Sequence, residues 1–150
     1  MEAAVDRRSP MSVWSSASSE RSAIVHNIMN MPATILIADD EQPITEFVRE
    51  VLVDEGYSVR IVHDGASALL AIESYQPDLV ILDVAMPVMT GDEVLRRLRA
   101  GRFRTLPVIM ATAGMHPQRF LNEGATATLA KPFDIDELLT LISQSLRLRR

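Results

Sequence analysis

The stretch Leu79-Val80-Ile81-Leu82, followed at once by Asp83, decides the fold. Its first four positions are all apolar, with no alternating polar partner. That pattern belongs to a central strand covered on both faces, the usual condition of a parallel sheet. Working outward, Thr34–Ala38 (TILIA) is a second apolar run of strand length, followed by Asp39, Asp40 and Glu41. Pro43 then suits the first turn of a helix, where its fixed φ costs nothing. Ile44, Phe47, Val48, Val51 and Leu52 recur at helical spacing and predict one buried face, and Gly56 stops the helix. Ser58–Val62 is a strand. Ala66, Leu69 and Leu70 open a helix that ends before Pro77. Beyond the central run come a loop with Pro87 and Gly91, a helix carrying Val94, Leu95 and Leu98, and a strand at Pro107–Ala111. A short helix with Phe120 and Leu121 precedes a weaker strand at Ala125–Leu129. Asp134 and Glu137 form a cap-like start to a last helix that buries Leu138, Leu141, Ile142 and Leu146. Five strand–helix units in alternation predict an α/β domain, a parallel sheet with helices on both faces.

Residues 1–30 read differently. Ser12–Ser19 (SVWSSASS) is serine-rich without period, which predicts a flexible N-terminal tail before a domain at 31–150. Met29 and Met31 stand just before the first strand and offer alternative start positions. The 150-residue chain has 15 Lys+Arg, 20 Asp+Glu, a net charge of −5 and no cysteine. Disulfides and cysteine-based zinc sites are therefore excluded. No apolar run is long enough to span a membrane and no leader is evident, so a cytoplasmic location is expected. The acidic total argues against nucleic acid as the main partner, although Arg96, Arg97, Arg99, Arg102 and Arg104 cluster. His26, His63 and His116 are scattered, with no metal-ligand spacing. Lys131 is the only lysine, beside 14 arginines.

In open parallel sheets, ligands gather at the carboxyl ends of the strands, where the strand order reverses. The polar residues there are Asp39 and Asp40 after the first strand, Asp83 after the third, Thr112 after the fourth, and Lys131 with Pro132 after the fifth. Clustered carboxylates repel unless a cation neutralises them, and an oxygen-only set suits Mg²⁺. A hydroxyl and an ammonium beside them could hold a phosphoryl group, with Asp83 as nucleophile. Taken singly, each residue also has a plain reading: a helix cap, a solvated loop, a surface charge. The joint occurrence at four strand ends favours function.

From Thr34 to Leu148 the chain resembles a receiver domain of a two-component response regulator. The resemblance rests on Ala38-Asp39-Asp40-Glu41, on Asp83-Val84-Ala85-Met86-Pro87 with Met89-Thr90-Gly91, on Val108–Ala113, on Gly124-Ala125 and on Lys131-Pro132-Phe133. It implies a flavodoxin-like sheet of order 2-1-3-4-5 and a phosphoacceptor at Asp83. It further implies Mg²⁺ on Asp40, Asp83 and the Ala85 carbonyl, with Asp39 acting through water. Thr112 and Lys131 would contact the phosphoryl group, and the bond to Pro132 would be cis. The donor would be a sensor histidine kinase or a histidine phosphotransfer protein. A stand-alone regulator acting on a protein target is expected, with a phosphorylation-independent binding module as the alternative.

Three positions depart from the family pattern. Thr128 stands at the switch position, which is usually aromatic. The interval from Thr112 to Gly124 is short by about three residues, most of a helical turn. Thr90 replaces a common Asp. The first two predict an altered readout face around the fourth helix and fifth strand.

Overall fold

A computed structural model describes residues 31–114 and 116–149. The expected tail, with His26 and Met29, lies outside the described residues. In chain order the elements are β1 (Thr34–Ala38), α1 (Gln42–Asp54), β2 (Ser58–Val62), α2 (Gly65–Tyr75), β3 (Leu79–Asp83), α3 (Gly91–Ala100), β4 (Val108–Thr112), α4 (Gln118–Asn122), β5 (Ala127–Ala130) and α5 (Ile135–Arg149). The five strands form one parallel sheet of order β2-β1-β3-β4-β5, as the sequence implied. β3 and β4 are buried at every position, which accounts for the unbroken apolar runs that precede Asp83 and Thr112.

Strand alternation divides the core in two. Ile35, Ile37, Leu79, Ile81, Ile109 and Leu129 pack with Val48 and Leu52 of α1 and Leu138 and Ile142 of α5. Leu36, Val80, Leu82, Val108 and Met110 pack on the other side with Ile72 of α2, Leu95 and Leu98 of α3 and Phe120 of α4. This is the two-faced helical cover that the apolar strands require.

Local signals set the helix ends. Gly56, at φ +96°, ends α1: its N–H donates to Val53 O at 3.0 Å and that of Tyr57 to Leu52 O at 3.0 Å. These two bonds make a Schellman cap. Asp64 caps α2 by accepting the Ser67 N–H at 2.7 Å. Asp134 caps α5 by accepting the Asp136 N–H at 2.7 Å.

Some expected faces turn out differently. On α1 the buried residues are Thr45, Val48 and Leu52, whereas Ile44 and Phe47 are exposed. Thr45 is tolerated inside because its hydroxyl donates to Gln42 O at 2.9 Å. On α2, for which the sequence named no buried face, Ala68, Ala71 and Ile72 are buried and Leu70 is exposed. β4 begins one residue later than expected and β5 two.

Candidate functional site

Three strands of one parity build the site. Asp39 continues the row Ile35-Ile37, Asp83 the row Leu79-Ile81, and Lys131 the row Ala127-Leu129. All three therefore emerge on the α1–α5 side, at the point where the strand order reverses between β1 and β3. Lys131 Nζ sits 2.8 Å from Asp39 Oδ2, 3.2 Å from Asp83 Oδ2 and 3.2 Å from Glu41 Oε1. Asp39 and Asp83 are each 5% exposed. Their remaining oxygens accept main-chain hydrogen bonds, Asp39 Oδ1 from Glu41 N–H at 3.0 Å and Asp83 Oδ1 from Ala85 N–H at 3.3 Å.

The electrostatics follow from this packing. Burial, then the charge of Asp39, push the Asp83 carboxyl up to about 6, against the pull of Lys131. Burial would lower the Lys131 ammonium, but hydrogen bonding and charge from Asp39 and Asp83 outweigh it and hold the group above the ordinary lysine range. Lys131 is thus the counter-charge of a carboxylate cluster. Oxygen atoms of Asp39, Glu41 and Asp83 all lie within 4.8 Å of one another, close enough to share one cation. An all-oxygen, carboxylate-rich donor set of this kind fits Mg²⁺.

Asp40 is exposed and is not a member of this group. It has the opposite parity from Asp39, so the backbone that brings Asp39 inward turns Asp40 out. Glu41 is the third carboxylate of the group, and the sequence reading did not single it out. Thr112 continues the row Val108-Met110 on the other face, and its hydroxyl accepts the Gly114 N–H at 2.9 Å. The Lys131 N–H donates to Thr112 O at 2.9 Å, which ties the two strand ends together. The Lys131–Pro132 peptide is cis. Thr128 is partly exposed on edge strand β5, level with Met110.

The loop after Asp83 is close-packed. A Cβ on Gly91 would fall on the Asp83 carbonyl oxygen, so only glycine lets α3 start there. The same loop holds Val88 at φ +71° and 84% exposed. A β-branched residue in the left-handed region is sterically strained, and no burial compensates it.

Four of the five clustered arginines, Arg96, Arg97, Arg99 and Arg102, are engaged within the fold. Arg96 and Arg97 pair with Glu93 at 2.6 and 3.1 Å, and Arg102 with Glu73 at 2.9 Å. Arg99 donates to Gly124 O at 2.8 Å and to Phe103 O at 3.0 Å. Across the same gap, Arg119 of α4 reaches Asp92 of α3 at 3.0 Å.

The fold and the site together define an α/β domain with an acidic, lysine-neutralised centre at its topological switch point. Comparison with known proteins makes the family specific. The model for the response regulator receiver domain matches residues 35–143. The response regulator MprA of Mycobacterium tuberculosis is 42% identical over 120 residues, covering 78% of this chain and 52% of that protein. The transcriptional regulatory protein TrcR of the same organism is 33% identical over 126 residues, covering 82% of this chain and 49% of that protein. Among solved structures, the receiver domain of the Francisella response regulator 1452 superposes with a TM-score of 0.76 at 28% identity, covering 79% of this chain and 99% of that one. The chemotaxis response regulator CheY4 of Vibrio cholerae gives 0.70 at 34% identity, covering 76% and 98%. This chain belongs to the response regulator receiver domain family, the phosphoacceptor module of two-component signalling. It spans about half the length of the curated relatives it matches. Among the described residues, no helix is long and apolar enough to cross a membrane.

Proposed function

We propose that Asp83 accepts a phosphoryl group from a phosphohistidine donor, a sensor histidine kinase or a histidine phosphotransfer protein, in the cytoplasm. The observation that carries this reading is the convergence of Asp39, Glu41 and Asp83 on Lys131. An Asp83 carboxylate oxygen forms the new P–O bond while the P–N bond breaks, its electron pair returning to the imidazole. With a carboxyl that titrates near 6, Asp83 is mostly ionised at neutral pH and available as nucleophile. Lys131 neutralises the transferred oxygens, and Thr112, whose hydroxyl oxygen accepts the Gly114 N–H, keeps its own O–H free to donate to them. A bound Mg²⁺, held by Asp39, Asp83 and Glu41 or Asp40 with the Ala85 carbonyl, would supply further neutralisation of the phosphoryl charge.

The surface beside the site supports a protein donor. Exposed Ile44 and Phe47 of α1, with Pro132, Phe133 and Ile135, line a depression of about 420 Å³ that abuts Lys131 and Glu41. Apolar side chains left out of the core beside a charged centre suit a partner's helix laid along α1. Output to a protein target proceeds by an unusual route. Thr128 provides no ring to rotate inward, and the five-residue α4 is tied to α3 through Arg119–Asp92 and Arg99–Gly124.

Intact-mass measurement with Mg²⁺ and a small phosphodonor, beside Asp83→Asn, tests the reading. A phosphoryl adduct on the wild type alone is expected. No adduct from small donors or from a panel of phosphorylated kinases would replace it with a phosphorylation-independent binding module.

A further inference from the structure

Asp39 lies one residue past the end of β1, where the ladder of strand hydrogen bonds runs out. Its N–H still donates to Val62 O, at 3.1 Å. Its carbonyl has passed beyond the strand partner, yet the residue is 5% exposed, and a buried carbonyl needs a donor. The next residue of the neighbouring chain segment supplies one: His63 Nδ1 lies 3.0 Å from Asp39 O. A carbonyl only accepts, so Nδ1 carries the hydrogen of this bond. Val62 and His63, consecutive in sequence, thus hold both main-chain polar groups of Asp39. Asp39 in turn places its two carboxylate oxygens on Lys131 and on the Glu41 N–H.

We propose that His63 is a positioning residue of the phosphorylation site: it fixes the Asp39 peptide, and through it the Asp39–Glu41 corner that would hold the divalent cation. The proposal rests on the function given above and adds a residue that touches neither phosphoryl group nor metal. Position and chemistry both favour this role. His63 is exposed and belongs to neither core cluster, and the hydrogen bond is its contact with the site. Groups that orient first-line metal ligands commonly affect affinity although they never reach the ion.

The test uses the full chain with His63→Ala and His63→Asn. Asparagine Nδ2 stands at the same branch position as histidine Nδ1 and can donate to the same carbonyl. Two quantities are read: Mg²⁺ affinity by calorimetry, and amide exchange of Glu41 in metal-free protein. For His63→Ala we expect the Mg²⁺ dissociation constant and the Glu41 exchange rate each to rise about 3- to 10-fold, the loss of one hydrogen bond. The melting temperature should stay close to that of the wild type, and His63→Asn should recover both quantities. Wild-type values in His63→Ala would overturn the proposal. So would losses that follow a fall in melting temperature and are not recovered by asparagine. Should the wild type bind no Mg²⁺ and take no phosphoryl group, the functional reading fails, and Glu41 exchange still decides the role of His63.

Discussion

The two sides of the sheet's carboxyl edge are built to different specifications. On the β1–β3 side, charges are buried, paired and held by main-chain hydrogen bonds. Asp39 and Asp83 each place one oxygen on Lys131 and the other on a backbone N–H. On the β4–β5 side the edge strand carries a partly exposed Thr128, the helix between is one and a half turns long, and side-chain ties to α3 hold it. The first region keeps what phosphoryl chemistry needs. The second carries a five-residue helix, and a threonine where the resemblance leads one to expect an aromatic ring.

Lys131→Ala strikes the first region hardest. It leaves three carboxylates without their cation, and labelling of Asp83 by a small phosphodonor should slow by about 100-fold or more. A fall of less than threefold would mean that Lys131 serves structure alone. Asp83→Asn gives the next largest effect, on stability. The Asp83 carboxyl is raised to about 6 in the folded protein, from an ordinary value near 3.8. The folded state therefore binds more protons between those values, and ionised Asp83 destabilises it fully only above about pH 6. Metal-free Asp83→Asn should be more stable than the wild type by roughly 1–3 kcal/mol at pH 7.5. The gain should shrink as pH falls through 6 and vanish near 4, as followed by urea unfolding. A gain independent of pH would sink this account.

Val88→Asn tests the loop between the two regions. Asparagine tolerates the left-handed conformation, so a stability gain of about 1 kcal/mol is expected, with phosphorylation unchanged. Arg119→Ala has the smallest global effect, about 0.5 kcal/mol for a partly exposed ion pair. Its local effect sharpens the comparison: amide exchange in residues 118–122 should accelerate while that of Glu41 and Ala85 does not move. Acceleration in both places would show that the two regions are coupled.

Much of this was legible in the sequence, for identifiable reasons. The sheet was readable because parallel strands buried on both faces leave unbroken apolar runs, and Asp39, Asp83 and Lys131 stood out as the polar residues that end such runs. The α1 face was misjudged because hydrophobicity assigns Ile44 and Phe47 to the core, whereas the helix is rotated so that Thr45 goes inside, satisfied by Gln42. Strand ends shifted where turns decide them: the Ala125 N–H bonds back to Phe120 O at 2.9 Å and delays β5. Glu41 and His63 were invisible as site residues because each acts across the fold, Glu41 on a lysine 90 positions away and His63 on a backbone carbonyl 24 positions away. No spacing rule records such a contact.

Lys131 has one more consequence. Because it is the only lysine, the chain carries a single side-chain amine besides its amino terminus. That amine is 12% exposed and held protonated by Asp39 and Asp83. Acylating reagents attack the neutral, accessible form, so in the native protein this amine should label slowly. Anything that draws the carboxylates away from it, whether a divalent cation, a phosphoryl group or local opening, alters the rate at one known atom. The protein therefore carries an intrinsic chemical reporter of its own site, readable by mass without an added probe or a substitution.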